Sequence, residues 1–339
     1  MASYCETRNL HLLSHADSII DDEELLLLFD LKKSKNPVIP YWLYSPFVLE
    51  ELTDDECVTE FRFLKNDIYR LASVLHIPDE VICSNGLKVK GIEALCVFLK
   101  RFAYPCRYSD LFPRFARDIA QICLISNYIM NYVYNQPHTL LHDLYQPWLS
   151  RECLKNYAAA IHSKGAALTN CWGFVDGTVR PVCRPRQNQR TLYNGHKRVH
   201  STKFQSVVAP NGMIANLFGP VEGKRHDSGL LAISGLLPKL QQYSYDVNGN
   251  PLCIYGDPAY PLHVHLQGPF KGAGRTPREK MFKTSMSRVR VVVEWVFGDI
   301  INYFKFFDFK KNLKVGPSAR SWENVHKLRS PTKCTYLFV

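Results

Sequence analysis

TPREKMFKTSMSRVRVVVEWVFGDIINYFKFF, residues 276–307, decides how this chain is read. Its valines alone favour strand, yet at this length the stretch reads best as one long helix. Glu294 then stands inside a run of valines, a tryptophan and a phenylalanine. A carboxylate in such surroundings is costly to bury unless something pairs with it. Three resolutions are open: exposure on one helical face, an ion pair with Arg290 one turn earlier, or a bound metal ion.

Upstream of that helix the pattern is that of a sheet. CWGFVDG (171–177) is short, aromatic-rich and closed by Asp-Gly, a strand-and-turn signal. FQSVVAPNGMIANLFG (204–219) is two strand-like runs joined by Pro-Asn-Gly, the clearest hairpin in the chain. SGLLAISGLLPKL (228–240) reads as a helix, and PLCIYGDPAY (251–260) as a buried strand ending in Asp-Pro. Strand, hairpin, helix, strand, helix predicts an α/β domain with a mixed sheet.

Further upstream, residues 57–165 carry helical spacing. GIEALCVFLKRFA (91–103) sets Ile92, Leu95, Cys96, Leu99 and Phe102 on one stripe, and DIAQICLISNYIMNYVYNQ (118–136) reads as a second long helix. With Arg107, Arg114 and Arg117 between or near them, the pair is either a helix-turn-helix or part of an ordinary bundle with a basic surface. Residues 1–56 read as an acidic, irregular lead-in with a Pro-rich patch, NPVIPYWLYSP (36–46). The expected division is therefore 1–56, a helical domain over 57–165, a sheet domain over 166–315, and a tail over 316–339.

The net charge of +11 is unevenly spread. Residues 1–60 hold 13 Asp/Glu against 4 Lys/Arg, so the remainder carries a balance of +20. No acidic residue occurs from Gly177 to Val221, where Arg180, Arg184, Arg186, Arg190, Lys197, Arg198 and Lys203 all fall. A field of that sign concentrates polyanions, nucleic acid above all. Eleven cysteines without a single C-x-x-C pair argue for reduced thiols rather than a zinc ribbon or disulfide scaffold. No apolar run reaches the roughly 18–20 residues that a membrane helix needs.

Ten acidic residues remain after position 170. Asp176 and Asp257 each close a predicted strand, where functional groups gather in α/β sheets, and Glu294 is embedded in the predicted helix. Each also has a purely structural reading: turn residues for the two aspartates, the Arg290 pair for Glu294. Together they suit Mg²⁺, which takes carboxylate and water oxygens. Two such ions roughly 3.5–4 Å apart serve in-line phosphoryl displacement, with basic side chains holding the phosphodiester backbone. Asp227 in KRHDSG is either an auxiliary ligand or the N-cap of the helix after it. His196 and His200 do not make a zinc pair, and GPVEGKR lacks the phosphate-loop pattern.

At these motifs the chain resembles a family. CWGFVDGTVRPVCRP, YNGHKRVHSTKFQSVVAPNGMIANLFGPVEGKRHDSG, GDPAYPL and RVVVEWVFGDIINYFKFF are similar to the DDE nuclease domain of PIF/Harbinger transposases and their domesticated relatives. The likeness runs from about Cys57 to Val315, more loosely over the N-terminal helices. It implies an RNase H-like fold, with Asp176 and Asp257 on strands and Glu294 on a helix as the catalytic, metal-binding triad. It further implies cleavage of DNA with Mg²⁺ or Mn²⁺, with strand transfer by a 3′-hydroxyl as a later step. Arg180, Arg184, Arg186, Lys197, Arg198 and Lys203 are the DNA contacts expected. The same likeness favours the helix-turn-helix reading of 91–136, a nuclear location, a separate Myb-like DNA-binding partner and self-association. The rival expectation is a domesticated, catalytically silent DNA-binding or protein-interaction factor. One departure supports the rival: relatives end on an apolar helix, whereas GPSARSWENVHKLRSPTKCTYLFV (316–339) is polar and basic.

Overall fold

This computed structural model describes residues 4–31, 40–135, 139–185, 189–270, 272 and 276–307. The acidic lead-in, expected to be irregular, forms two helices, α1 (Tyr4–Ala16) and α2 (Asp22–Leu31). Asp22, Glu23 and Glu24 occupy the first turn of α2, where negative charge complements the exposed amide ends.

An N-terminal helical body follows, comprising α3 (Asp54–Phe61), α4 (Lys65–Val74), the short hairpin β1 (Glu80–Ile82) and β2 (Lys88–Lys90), α5 (Gly91–Ala103), α6 (Phe112–Phe115) and α7 (Ile119–Asn135). Helix α5 lies at its centre: Ala94 through Leu99 are all fully buried, so the apolar stripe read from the sequence is in fact a whole buried helix. Only glycine fits at its start, because a Cβ on Gly91 would stand 2.0 Å from the Pro78 carbonyl oxygen. The helix-turn-helix is not confirmed here. Arg114 is ion-paired to Glu60 and Arg117 to Glu93, and α7 contains no lysine or arginine to read a groove.

The second body is built from α8 (Thr139–His142), α9 (Arg151–Ser163), β3 (Cys171–Pro181), α10 (Gln189–Leu192), β4 (Tyr193–Asn194), β5 (Val199–Val208), β6 (Ile214–Glu222), α11 (Asp227–Ser234), α12 (Leu236–Tyr243), β7 (Cys253–Tyr255), β8 (Leu266–Gln267) and α13 (Pro277–Tyr303). Its mixed sheet runs β6-β5-β3-β7-β8, with β4 on the start of β5. The β3–β5 and β5–β6 pairs are antiparallel, while β7 and β8 add in parallel beside β3. The predicted hairpin is β5–β6, and the single helix expected over 228–240 is broken at Gly235, whose φ of 63° starts the next turn afresh.

Helix α13 forms despite its valines. Thr276 and Glu279 close a capping box with Pro277 in the first turn, and Met286, Val289, Val293 and Phe297 recur at helical spacing on the buried side. That side covers one sheet face with Phe174, Phe204, Val208 and Tyr255. The other face, Val175, Val207, Ala215 and Ile254, is covered by α11, α12 and most of α9. Beyond α13, Phe304 and Phe307 enter the core of the N-terminal body, and Arg62 Nε donates to the Tyr303 carbonyl at 3.2 Å. The tail over 316–339 lies outside the described residues.

Candidate active site

The position of each carboxylate follows from strand register. Phe174 on β3 pairs with Tyr255 on β7 in parallel, and both side chains lie under α13. Two residues past that pair, Asp176 continues β3 on the α13 face and Asp257 lies in the turn after β7, so both carboxylates stand at the same end of neighbouring strands. The Asp257 carboxylate accepts the Ala259 amide at 3.0 Å, a turn that fixes the loop after β7. Gly256 is required just before it: a Cβ there would stand 2.8 Å from Val175 Cγ1 and 2.9 Å from the Tyr260 ring.

Arg290 and Glu294 follow one turn apart on the flank of α13 next to its buried side. The guanidinium of Arg290 does not pair with Glu294. It donates from Nη2 to Asp176 Oδ1 at 3.1 Å, with both side chains about one-fifth exposed. Glu294 is solvent-exposed, and nothing among the described residues bonds to its carboxylate. The apolar neighbours that surround it in sequence point elsewhere, Val293 and Phe297 inward and Trp295 outward.

The charges of Asp257 and Glu294 both bear on Asp176. Burial holds its carboxyl above the ordinary range; Arg290 opposes that shift, while the charges of Asp257 and Glu294 add to it. The phenol of Tyr255 is pushed up by burial, with Arg290 opposing. Tyr260 is pushed well up by burial, with Asp227, Asp257 and Asp176 adding. Three buried hydroxyls in this region, Ser206, Tyr255 and Tyr260, have no hydrogen-bond partner among the described residues. Ser206 is the cross-strand neighbour of Asp176.

Asp227 sits on the opposite face of the sheet. It is the first residue of α11, with His226 at the cap position, so the N-cap reading of Asp227 does not hold. Its carboxylate takes the ammonium of Lys203 at 2.8 Å and packs where a Cβ on Gly177 would be, 2.5 Å from Oδ1. Gly177 faces away from Asp176 by the alternation of β3, which separates Asp227 from the Asp176 side. Lys203, expected to touch DNA, is 6% exposed and donates to Asp227 and to the Arg225 carbonyl, so its charge is satisfied internally. Of the other basic residues, Lys197 and Arg198 are exposed at the β4–β5 turn, and Arg184 is exposed with Nε on Gln189. Arg180 lies over the Phe297 ring at 5.2 Å, on the α13 side of β3 with Asp176. Arg186 lies outside the described residues.

Residues 175–327 match the family model of the DDE superfamily endonuclease. That segment, a little under half of the chain, is similar to members of that family. It supports a transposase-derived nuclease at family level, with DNA the substrate that such a domain suggests. The matched endonuclease domain opens one residue before Asp176, holds Asp257 and Glu294, and extends into the first part of the atypical tail. No curated protein and no solved structure matches the chain.

The family typically uses divalent metals, and the donor set fits them in kind. All donors are oxygens, Asp176 stands on β3 and Asp257, expected on a strand, lies in the turn just past β7, and a cationic group already lies on Asp176. The set is not a finished cage: among the described residues no three His, Cys, Asp or Glu side chains converge as a ready-made metal site. Sequence reasoning offers an i,i+4 pair of Arg290 with Glu294 as one of three alternatives and misses its reach to Asp176, which no local spacing signals. Ser206 became visible only through strand register. The nine cysteines whose side chains are described are all free thiols, and no described helix is long and apolar enough to cross a membrane.

Proposed function

We propose that this chain is a PIF/Harbinger-type, transposase-derived DNA endonuclease whose divalent-cation ligands are Asp176, Asp257 and Glu294. The observation that supports this reading is the parallel pairing of Phe174 with Tyr255 under α13, which leaves Asp176 and Asp257 each two residues past that pair, near the helix that bears Glu294. Asp176 and Asp257 provide the fixed part of the site, one rigid on a central strand and one tied by its turn to Ala259. Glu294, exposed on the helix, completes it from the third side. Mg²⁺ or Mn²⁺, when bound, supplies acidification of the attacking water and charge stabilisation at the scissile phosphate and leaving oxygen. Arg180, Arg184, Lys197 and Arg198 hold the phosphate backbone without reading sequence, and Arg186 joins them by its place in the same acid-free stretch. A released 3′-hydroxyl is the nucleophile for strand transfer. DNA recognition is completed by a Myb-like partner or by self-association, and the work is done in the nucleus.

A second reading, a silent DNA-binding factor, is favoured by the ion pair of Arg290 with Asp176, which engages a carboxylate oxygen of the proposed ligand set. Plasmid nicking with Mg²⁺ or Mn²⁺ separates the two. The wild type should nick, and Asp176→Asn, Asp257→Asn and Glu294→Gln should each lose at least about a hundredfold in rate, as expected for groups acting on the reacting phosphate. Equal activity in all four proteins rejects the site. DNA binding without any nicking supports the silent factor.

A further inference from the structure

The contact between Arg290 and Asp176 asks for a role of its own. Arg290 is one turn from Glu294 and equally well placed for an i,i+4 pair, yet its guanidinium crosses to the strand and takes Asp176 Oδ1 at 3.1 Å. The charges of Asp257 and Glu294 bear on Asp176, and the phenols of Tyr255 and Tyr260 are titratable groups that feel the Arg290 charge. Like charges brought together at a half-buried position repel strongly unless a cation lies among them. Arg290 is the cation that the chain itself supplies.

We propose that Arg290 is a positioning residue that serves as the resident counter-ion of the carboxylate site, holding Asp176 while no divalent cation is bound and yielding that oxygen when one is. The inference rests on the proposed ligand set. It predicts competition: the guanidinium and the metal ion cannot both neutralise the same Asp176 oxygen. Removing Arg290 should therefore do two opposite things. The cation-free protein loses its internal neutralisation and becomes less stable, while the site binds a divalent cation more tightly.

The test is a Mn²⁺ titration of the full chain, free of DNA, followed by the electron paramagnetic resonance signal of the free aquo ion and by the melting temperature. Relative to wild type, Arg290→Gln should melt lower in chelator, bind Mn²⁺ on the order of tenfold more tightly, since one unit charge near the site is removed, and gain more melting temperature at saturation. Arg290→Lys restores a positive charge and should return the affinity toward wild type. Asp257→Asn should weaken Mn²⁺ binding in either background, which locates the ion. Wild-type affinity in Arg290→Gln, or binding as tight in Arg290→Lys as in Arg290→Gln, overturns the inference while leaving the ligand set standing. Absence of Mn²⁺ binding in every protein overturns the ligand set with it. If Arg290→Gln does not fold, Arg290→Met keeps the aliphatic stem and carries the same comparison.

Discussion

Whether Asp227 is a ligand or an internal partner can be settled by stability. The perturbation is Asp227→Asn, which keeps size and shape but removes the charge facing Lys203. The two side chains are 20% and 8% exposed, and the ammonium has only the Arg225 carbonyl besides. Removing one member of a buried pair costs about 3–5 kcal/mol, because the other charge is left uncompensated. The partial exposure of Asp227 and the surviving carbonyl contact place this case near the lower bound, about 3 kcal/mol. With an unfolding entropy of about 2.1 cal/mol/K per residue over 339 residues, the melting temperature should fall by about 4 °C. Lys203→Met should cost a similar amount, and the double variant less than the two together, since it leaves no orphan charge. Gly177→Ala should also lower the melting temperature, because its Cβ would stand 2.5 Å from Asp227 Oδ1. The assay is thermal unfolding by circular dichroism, paired with Mn²⁺ affinity, which Asp227→Asn should leave at the wild-type value. A variant that melts like wild type but loses Mn²⁺ would make Asp227 a ligand after all, and strictly additive costs would deny the ion pair.

Two further outcomes are expected. Phe307, 6% exposed and edge-on to Phe102 at 5.4 Å, ties the end of α13 into the N-terminal core, so Phe307→Ala should destabilise by about 3–5 kcal/mol in urea unfolding; a loss below 1 kcal/mol would mean that the contact carries no weight. In chelator, the raised carboxyl of Asp176 contributes stability that is fully present below its ordinary value of 3.8 and lost as pH rises through its folded-state value. The melting temperature of Asp176→Asn minus that of wild type should therefore climb across that window and level off above it, and a flat or falling difference would contradict the burial argument.

What could be read from the sequence is what local chemistry decides. Pro-Asn-Gly marks the β5–β6 turn because those residues close a hairpin anywhere, and Asp-Gly and Asp-Pro mark the ends beside Asp176 and Asp257 for the same reason. Helical spacing found α5 and α7, and Thr276–Pro277 with Glu279 marks the start of α13. What could not be read depends on which strands are neighbours. The parallel placement of β7 beside β3 brings the turn that carries Asp257 to the end of the strand pairing near Asp176, 81 positions away, and no local pattern encodes that. The same limit hid the pairing of Arg290 with Asp176 rather than Glu294, and of Lys203 with Asp227. Lys203 shows the cost: a cation in a basic stretch looks like a phosphate contact until strand alternation turns it inward. The acidic lead-in went wrong for another reason. Its first-turn carboxylates were counted as charge when they were also helix starts.

Helix α13 joins these observations into one mechanical consequence. Its middle lies on the sheet face that carries Asp176, and the residues just beyond its end, Phe304 and Phe307, lie in the core of the N-terminal body with Arg62 bonded to the Tyr303 carbonyl. A helix is stiff over this distance, so its rotation or shift against one body is felt in the other. Glu294 and Arg290 are therefore positioned from both sides, by Val289, Val293 and Phe297 on the sheet and by the aromatic anchor beyond the helix end. Three carboxylates assembled only from the sheet would leave Glu294 to the sheet packing alone. Here the N-terminal body, which lies outside the matched endonuclease segment, supplies part of the frame that holds the helix carrying Glu294.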